Sequence, residues 1–84
     1  MGFHMSQSNS YSVVLTPEPE GGFTVRVPAF PEVVTYDIDE AEAMAMAREA
    51  IELSIEQRHA TGEELPESDQ TILRSISIPL PSEA

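Results

Sequence analysis

The sequence predicts an α+β domain of order β-β-β-α-β, with one long helix packed on a small, mostly antiparallel sheet. Three observations predict it. Two alternating apolar runs between Tyr11 and Val27 are separated by a Gly/Pro cluster, a single alanine- and glutamate-rich run follows from Asp39, and a further alternating run begins at Thr71.

In the first strand, Tyr11 to Thr16, the residues Tyr11, Val13 and Leu15 point one way and Ser12, Val14 and Thr16 the other. Pro17, Pro19, Gly21 and Gly22 break it, with Glu18 and Glu20 between them, as in an exposed turn. The second strand runs from Phe23 to Val27 and pairs back as an antiparallel hairpin, with Phe23, Val25 and Val27 on one face. Pro28 cannot donate to a ladder and Pro31 follows closely, so the chain turns a corner there. Phe30 lies outside the alternation and is expected to cover the end of the sheet. Val33 to Tyr36, β-branched and aromatic, makes a short third strand.

The helix carries start and stop signals. Asp39 and Glu42 outline a capping box, and Glu40 and Glu42 sit at the positive end of the helix dipole. Met44, Ala47, Ile51, Ile55 and Arg58 recur at helical spacing, and Ala43, Ala47, Ala50 and Ser54 keep the packing face small. Gly62 supplies the left-handed stop, giving a helix from about Glu40 to Ala60. After an acidic loop, Thr71 to Ile78 predicts the last strand, with Ile72, Ile76 and Ile78 in one phase, Leu73, Ser75 and Ser77 in the other, and Arg74 interrupting the apolar phase. Residues 1–9 read as a disordered leader or expression remnant, 10–80 as the domain and 81–84 as a tail. His4 falls in the leader.

Composition narrows the function. Eighty-four residues make one domain with a small core, which a homodimer or higher homo-oligomer would help to cover. With no cysteine there is no disulfide frame and no thiolate metal site. No apolar run approaches the roughly 20 residues that span a bilayer, and the first ten residues lack signal-peptide character. A cytoplasmic protein without a membrane role is expected. The formal net charge is −11, from 15 acids against four arginines and no lysine. Nucleic acid demands cations to displace phosphate counterions, so direct nucleic-acid binding is not expected. Strong negative charge favours encounter with a basic partner.

The runs Tyr11-Ser12-Val13-Val14-Leu15, Glu20-Gly21-Gly22-Phe23-Thr24-Val25, Val27-Pro28-Ala29-Phe30-Pro31, Val34-Thr35-Tyr36 and Glu40-Ala41-Glu42-Ala43 together resemble the HicB antitoxin family. Gly62-Glu63-Glu64-Leu65-Pro66 is similar to the family's closing turn, so the resemblance spans Tyr11 to Ile78. It implies a partial ribonuclease-H-like fold without a working nuclease centre. It also implies a partner, the small basic HicA toxin, which has a double-stranded-RNA-binding fold and cuts messenger RNA with a histidine. Many members carry a C-terminal DNA-binding segment, which this chain is expected to lack. Glu32 and Asp37 stand where members often have glycine, and each adds negative charge.

No catalytic residue, metal ligand or cofactor site is predicted. Metal-dependent nuclease chemistry needs converging carboxylates, whereas the first strand holds no acid and the second only Arg26. Asp37, Asp39, Glu40 and Glu42 read better as turn and cap residues. His59 suits a helix C-terminus, and Ser54 has no base beside it in any motif. The expected partner-binding residues are Glu18, Glu20, Glu32 and Asp37. Each alone reads equally as solvated loop charge; as a group they favour contact with a basic toxin. Glu49, Glu52 and Glu56 read as a solvated helix face. The alternative reading is a homo-oligomeric module of the same fold, joined by sheet edges and without a toxin.

Overall fold

A computed structural model describes residues 8–82, so most of the expected leader, His4 included, lies outside the described residues. The α+β class stands as expected. Three antiparallel strands, β1 (Val14–Pro17), β2 (Phe23–Arg26) and β3 (Val34–Asp37), form a sheet in the order β1-β2-β3, followed by one helix, α1 (Glu40–Ala60).

Register assigns the faces. Leu15, Val25 and Thr35 align across the sheet, as do Val14, Arg26 and Val34 in the neighbouring row. The first row lies under α1, where Val25, Ala43 and Ala47 are fully buried and Val13 and Leu15 pack against them. The small residues of the helix let it approach the sheet closely, and Ser54 continues that buried line. One consequence is a buried Thr35 hydroxyl without a hydrogen-bond partner.

The corner after β2 centres the second half of the core. Pro28 and Pro31 each take the second position of a turn, Phe30 N–H bonding Val27 O at 2.9 Å and Val33 N–H bonding Phe30 O at 2.8 Å. Phe30, shared by both turns, is driven inward and fully buried beside Val27 and Val33. Tyr11 meets its ring edge-on at 5.0 Å and 80°. Arg58 lies over the ring, 4.7 Å from its centroid. The expected cover for the sheet's end is thus the largest fully buried side chain of the domain.

Both ends of α1 carry complete caps. Asp39 Oδ2 accepts the Glu42 N–H at 3.0 Å. The reciprocal half of the expected capping box is replaced: the Asp39 N–H is taken at 3.0 Å by Asp37 Oδ1. At the other end, Gly62 adopts φ +77°. Its N–H bonds His59 O, and the Glu63 N–H bonds Arg58 O at 2.9 Å, which closes a Schellman motif.

The last expected strand does not form. Residues 71–82 belong to no ladder, and Ile72, Leu73, Ile76, Ile78 and Leu80 are all at least 67% exposed. The described chain measures 74 Å in its longest dimension against 25 and 23 Å. A 21-residue helix accounts for only about 30 Å of that, so the C-terminal segment reaches away from the domain. The physical reason lies at Asp69. Its N–H bonds Ser10 O at 3.1 Å as a parallel strand would, but its carboxylate then takes the Ser12 N–H. Ser10 and Ser12 present these groups on the edge that Val14 and Thr16 give to β2, so a strand continuing from Asp69 would meet β2 and the pairing ends after one bond.

Candidate functional site

The antiparallel register brings three of the four expected partner-binding residues to one end of the sheet. β1 ends at Pro17 and β2 begins at Phe23, which pairs with Asp37 at the end of β3. The turn between them is closed by Glu18 N–H to Gly22 O and Gly21 N–H to Glu18 O, each 2.9 Å. Gly21 and Gly22 both have positive φ, +104° and +82°. Tyr36 fastens the turn from the third strand, its hydroxyl donating to Gly21 O at 2.7 Å.

Within this end the carboxylates differ in freedom. Glu18 is half-buried and accepts from the Thr24 hydroxyl. Glu20, at the tip, is exposed. Asp37 is half-buried and bonded to the Asp39 amide, so it shapes the passage into the helix as well as charging it. Because β3 leads into α1 here, the exposed Asp39, Glu40 and Glu42 extend the same acidic end. Sequence reasoning assigned these three to capping alone. Their membership of the surface follows from the short link between β3 and α1, which was readable as the two residues between Tyr36 and Asp39.

Glu32 is not part of this group. It sits in the proline corner at the opposite end of the sheet, where Arg58 Nη2 donates to both of its carboxylate oxygens at 2.9 Å. The Glu32 carboxyl is held below its ordinary value of 4.5, chiefly by a hydrogen bond from its own backbone amide. Desolvation opposes this, and Ser54 and Arg58 lower it further. Its charge is largely answered within the chain.

The arginines lie elsewhere. Arg26 ends β2, away from the hairpin turn, while Arg48 pairs with Glu52 at 3.4 Å and Arg58 with Glu32. Arg74 is in the C-terminal segment. The acids of the turn and helix start therefore share an end of the fold with no arginine placed among them. They do not converge on a point: among the described residues, no group of three or more His, Cys, Asp or Glu side chains could hold a metal ion.

A second surface went unread in the sequence. On the flank of α1 beside Thr35, a groove of about 530 Å³ is lined by Met46, Ala50 and Leu53 together with Glu49, Glu52 and Glu56. Leu53 is 56% exposed. These acids were legible as a helix face; that they border apolar ground follows from Met46 and Leu53 being seven residues apart on the same side.

No described helix is long and apolar enough to cross a membrane. Compared with known proteins, the chain is matched by no family model and by no curated protein.

Proposed function

We propose that this chain is an antitoxin of the HicB type, acting in the cytoplasm by occlusion and not by catalysis. The observation that carries the reading is the acidic end of the sheet, Glu18, Glu20 and Asp37 with Asp39, Glu40 and Glu42, kept apart from the chain's arginines. A toxin that cuts RNA presents lysines and arginines to phosphates. Carboxylates on a rigid turn compete for the same cations, steer the encounter over long range and leave the RNA no landing surface. The acid-bordered groove with Met46 and Leu53 adds the apolar contact that a stable interface needs at its centre. The resemblance across Tyr11 to Ile78 supplies the chemical class of the partner, a small basic polypeptide with an active-site histidine.

The test is co-expression with the short basic reading frame encoded beside it. The expected result is a complex that withstands 0.15 M salt and loosens on the order of 10-fold or more by 1 M, where screening shortens to about 3 Å. Glu20→Lys, at an exposed tip, should weaken it without altering the fold. Failure to form a complex at any salt concentration overturns the reading. A second reading, a homo-oligomeric module without a toxin, is favoured by one observation only: the apolar C-terminal segment left uncovered by its own domain.

A further inference from the structure

Ile72, Ile76 and Ile78 recur at even positions on a segment that leaves the domain, and among the described residues no strand lies against the outer edge of β1. Beside that edge lies a groove of about 300 Å³, formed between the lead into β1 and the helix. Tyr11 and Val13 line one wall and Met44, Ile51 and Ile55 the other, with Arg48 and Glu52 at its margin. No β2 or β3 residue lines it, so a strand added to β1 would lie directly over it. Such a strand matches what the segment offers: a backbone needing partners and a side on which Ile72, Ile76 and Ile78 need cover, interrupted by Arg74, to which Glu52 at the groove margin offers a counter-charge.

The tether of the segment keeps it from that edge in its own chain. Ser10 O and Ser12 N–H, which hold Asp69, share the parity of Val14 and Thr16, whose bonds run to β2, as the Glu18 N–H to Gly22 O bond continues. Asp69 therefore lies on the β2 side of the strand, and a continuation from it along β1 would run into Arg26. The free edge is the opposite one, carried by Tyr11, Val13 and Leu15. A segment arriving from another molecule reaches that edge without the tether, in the register that turns Ile72, Ile76 and Ile78 toward the helix.

We infer that two copies of this chain exchange arms, residues 71–80 of each adding a strand to the free edge of β1 in the other and seating Ile72, Ile76 and Ile78 over the Tyr11–Met44–Ile51–Ile55 groove. Charge agrees with a second copy as the occupant. Arg74 is the only charged residue between 71 and 80, so the arm carries one positive charge while the whole chain carries −11. Pro79 removes a ladder donor and ends the added strand. The exchange is reciprocal and closed, so it stops at the dimer. It does not depend on the antitoxin reading, because it uses the β1 edge and not the acidic end.

Sedimentation equilibrium of the full chain tests the exchange first: the expected mass is twice the 9.2 kDa of one chain. Ile76→Lys should weaken dimerisation on the order of 100-fold, because each dimer buries two such side chains, whereas Leu73→Lys, in the opposite phase, should leave it within about threefold. The chain has no cysteine, so introduced thiols report cleanly. Arg48→Cys and Ile76→Cys, prepared separately and mixed under oxidation, should give a mixed disulfide of twice the chain mass. A monomeric wild type, a disulfide formed within one chain carrying both cysteines, or linkage of Ile76→Cys mainly to itself would each overturn the inference.

Discussion

Gly22→Ala isolates the contribution of the hairpin turn. Gly22 has φ +82°, where an added Cβ costs about 1–2 kcal/mol through its own carbonyl. The Cβ would also fall on the Tyr36 hydroxyl, within 2.7 Å of Tyr36 Cζ and 2.9 Å of the Asp37 carbonyl oxygen. Tyr36 can swing aside, but only by giving up its 2.7 Å hydrogen bond to Gly21 O, worth about 1 kcal/mol. The carbonyl belongs to the β3 backbone and cannot rotate away, so the strand must shift. Together these effects amount to about 2–4 kcal/mol. Gly21→Ala is the matched control: its φ of +104° is equally unfavourable, yet the nearest atom is Ile38 Cδ1 at 3.7 Å, so only the backbone cost of about 1–2 kcal/mol applies. Urea unfolding followed by circular dichroism reads the difference. With a slope of about 1 kcal/mol/M for a domain this small, the Gly22→Ala midpoint should fall about 2–4 M, or the protein should already be unfolded in water. Adding Tyr36→Phe removes the closest clash and should recover about 1 kcal/mol. Equal losses for the two alanine variants, or no recovery from Tyr36→Phe, would refute the claim that Tyr36 and the β3 backbone hold this turn.

The proline corner offers two further checks. Phe30→Ala should cost about 3–5 kcal/mol, a large share of the roughly 4–13 kcal/mol expected for a chain of this size, while Phe30→Leu should cost less than about 1.5. Glu32→Gln should cost about 0.2–1 kcal/mol at neutral pH, since the pair with Arg58 remains open to solvent on the Glu32 side. Because folding lowers the Glu32 pKa, the advantage of wild type over Glu32→Gln should be full above about pH 4.5 and shrink as acid titrates the folded carboxylate. Urea midpoints of both proteins at pH 7, 5 and 3 measure this, and a gap that persists undiminished at pH 3 would argue against it.

Local chemistry made most of the fold legible. The helix runs over the residues that Asp39 and Gly62 delimit, because capping acts within one turn of chain. Phe23 and Val25 alternate as read, and the Pro28 and Pro31 breaks fall where a proline must interrupt a ladder. The expected first strand, in contrast, shortens to Val14–Pro17, because the edge at Ser10 and Ser12 is spent on Asp69 and Ser68. Alternation in 71–78 was visible, but pairing depends on a partner edge, which period two does not specify. Of the candidate site, the acids of the turn could be read directly. The separation of Glu32 could not, because its partner Arg58 lies 26 residues away and meets it only through packing around Phe30. Met44 shows the same limit, reading as core stripe and standing 42% exposed on the groove beside β1.

The bonds that join Asn9 and Tyr11 to Pro66, and Ser10 to Ser68 and Asp69, bring the two flanks of the folded unit to a single corner, remote from the hairpin tip. A fusion joined directly before residue 9 or directly after residue 69 emerges from that corner and leaves Glu18 and Glu20 unobstructed. The same proximity means that a short linker could splice residue 69 back to residue 10, while new termini opened at the Glu20 tip would yield a permuted protein with its core intact.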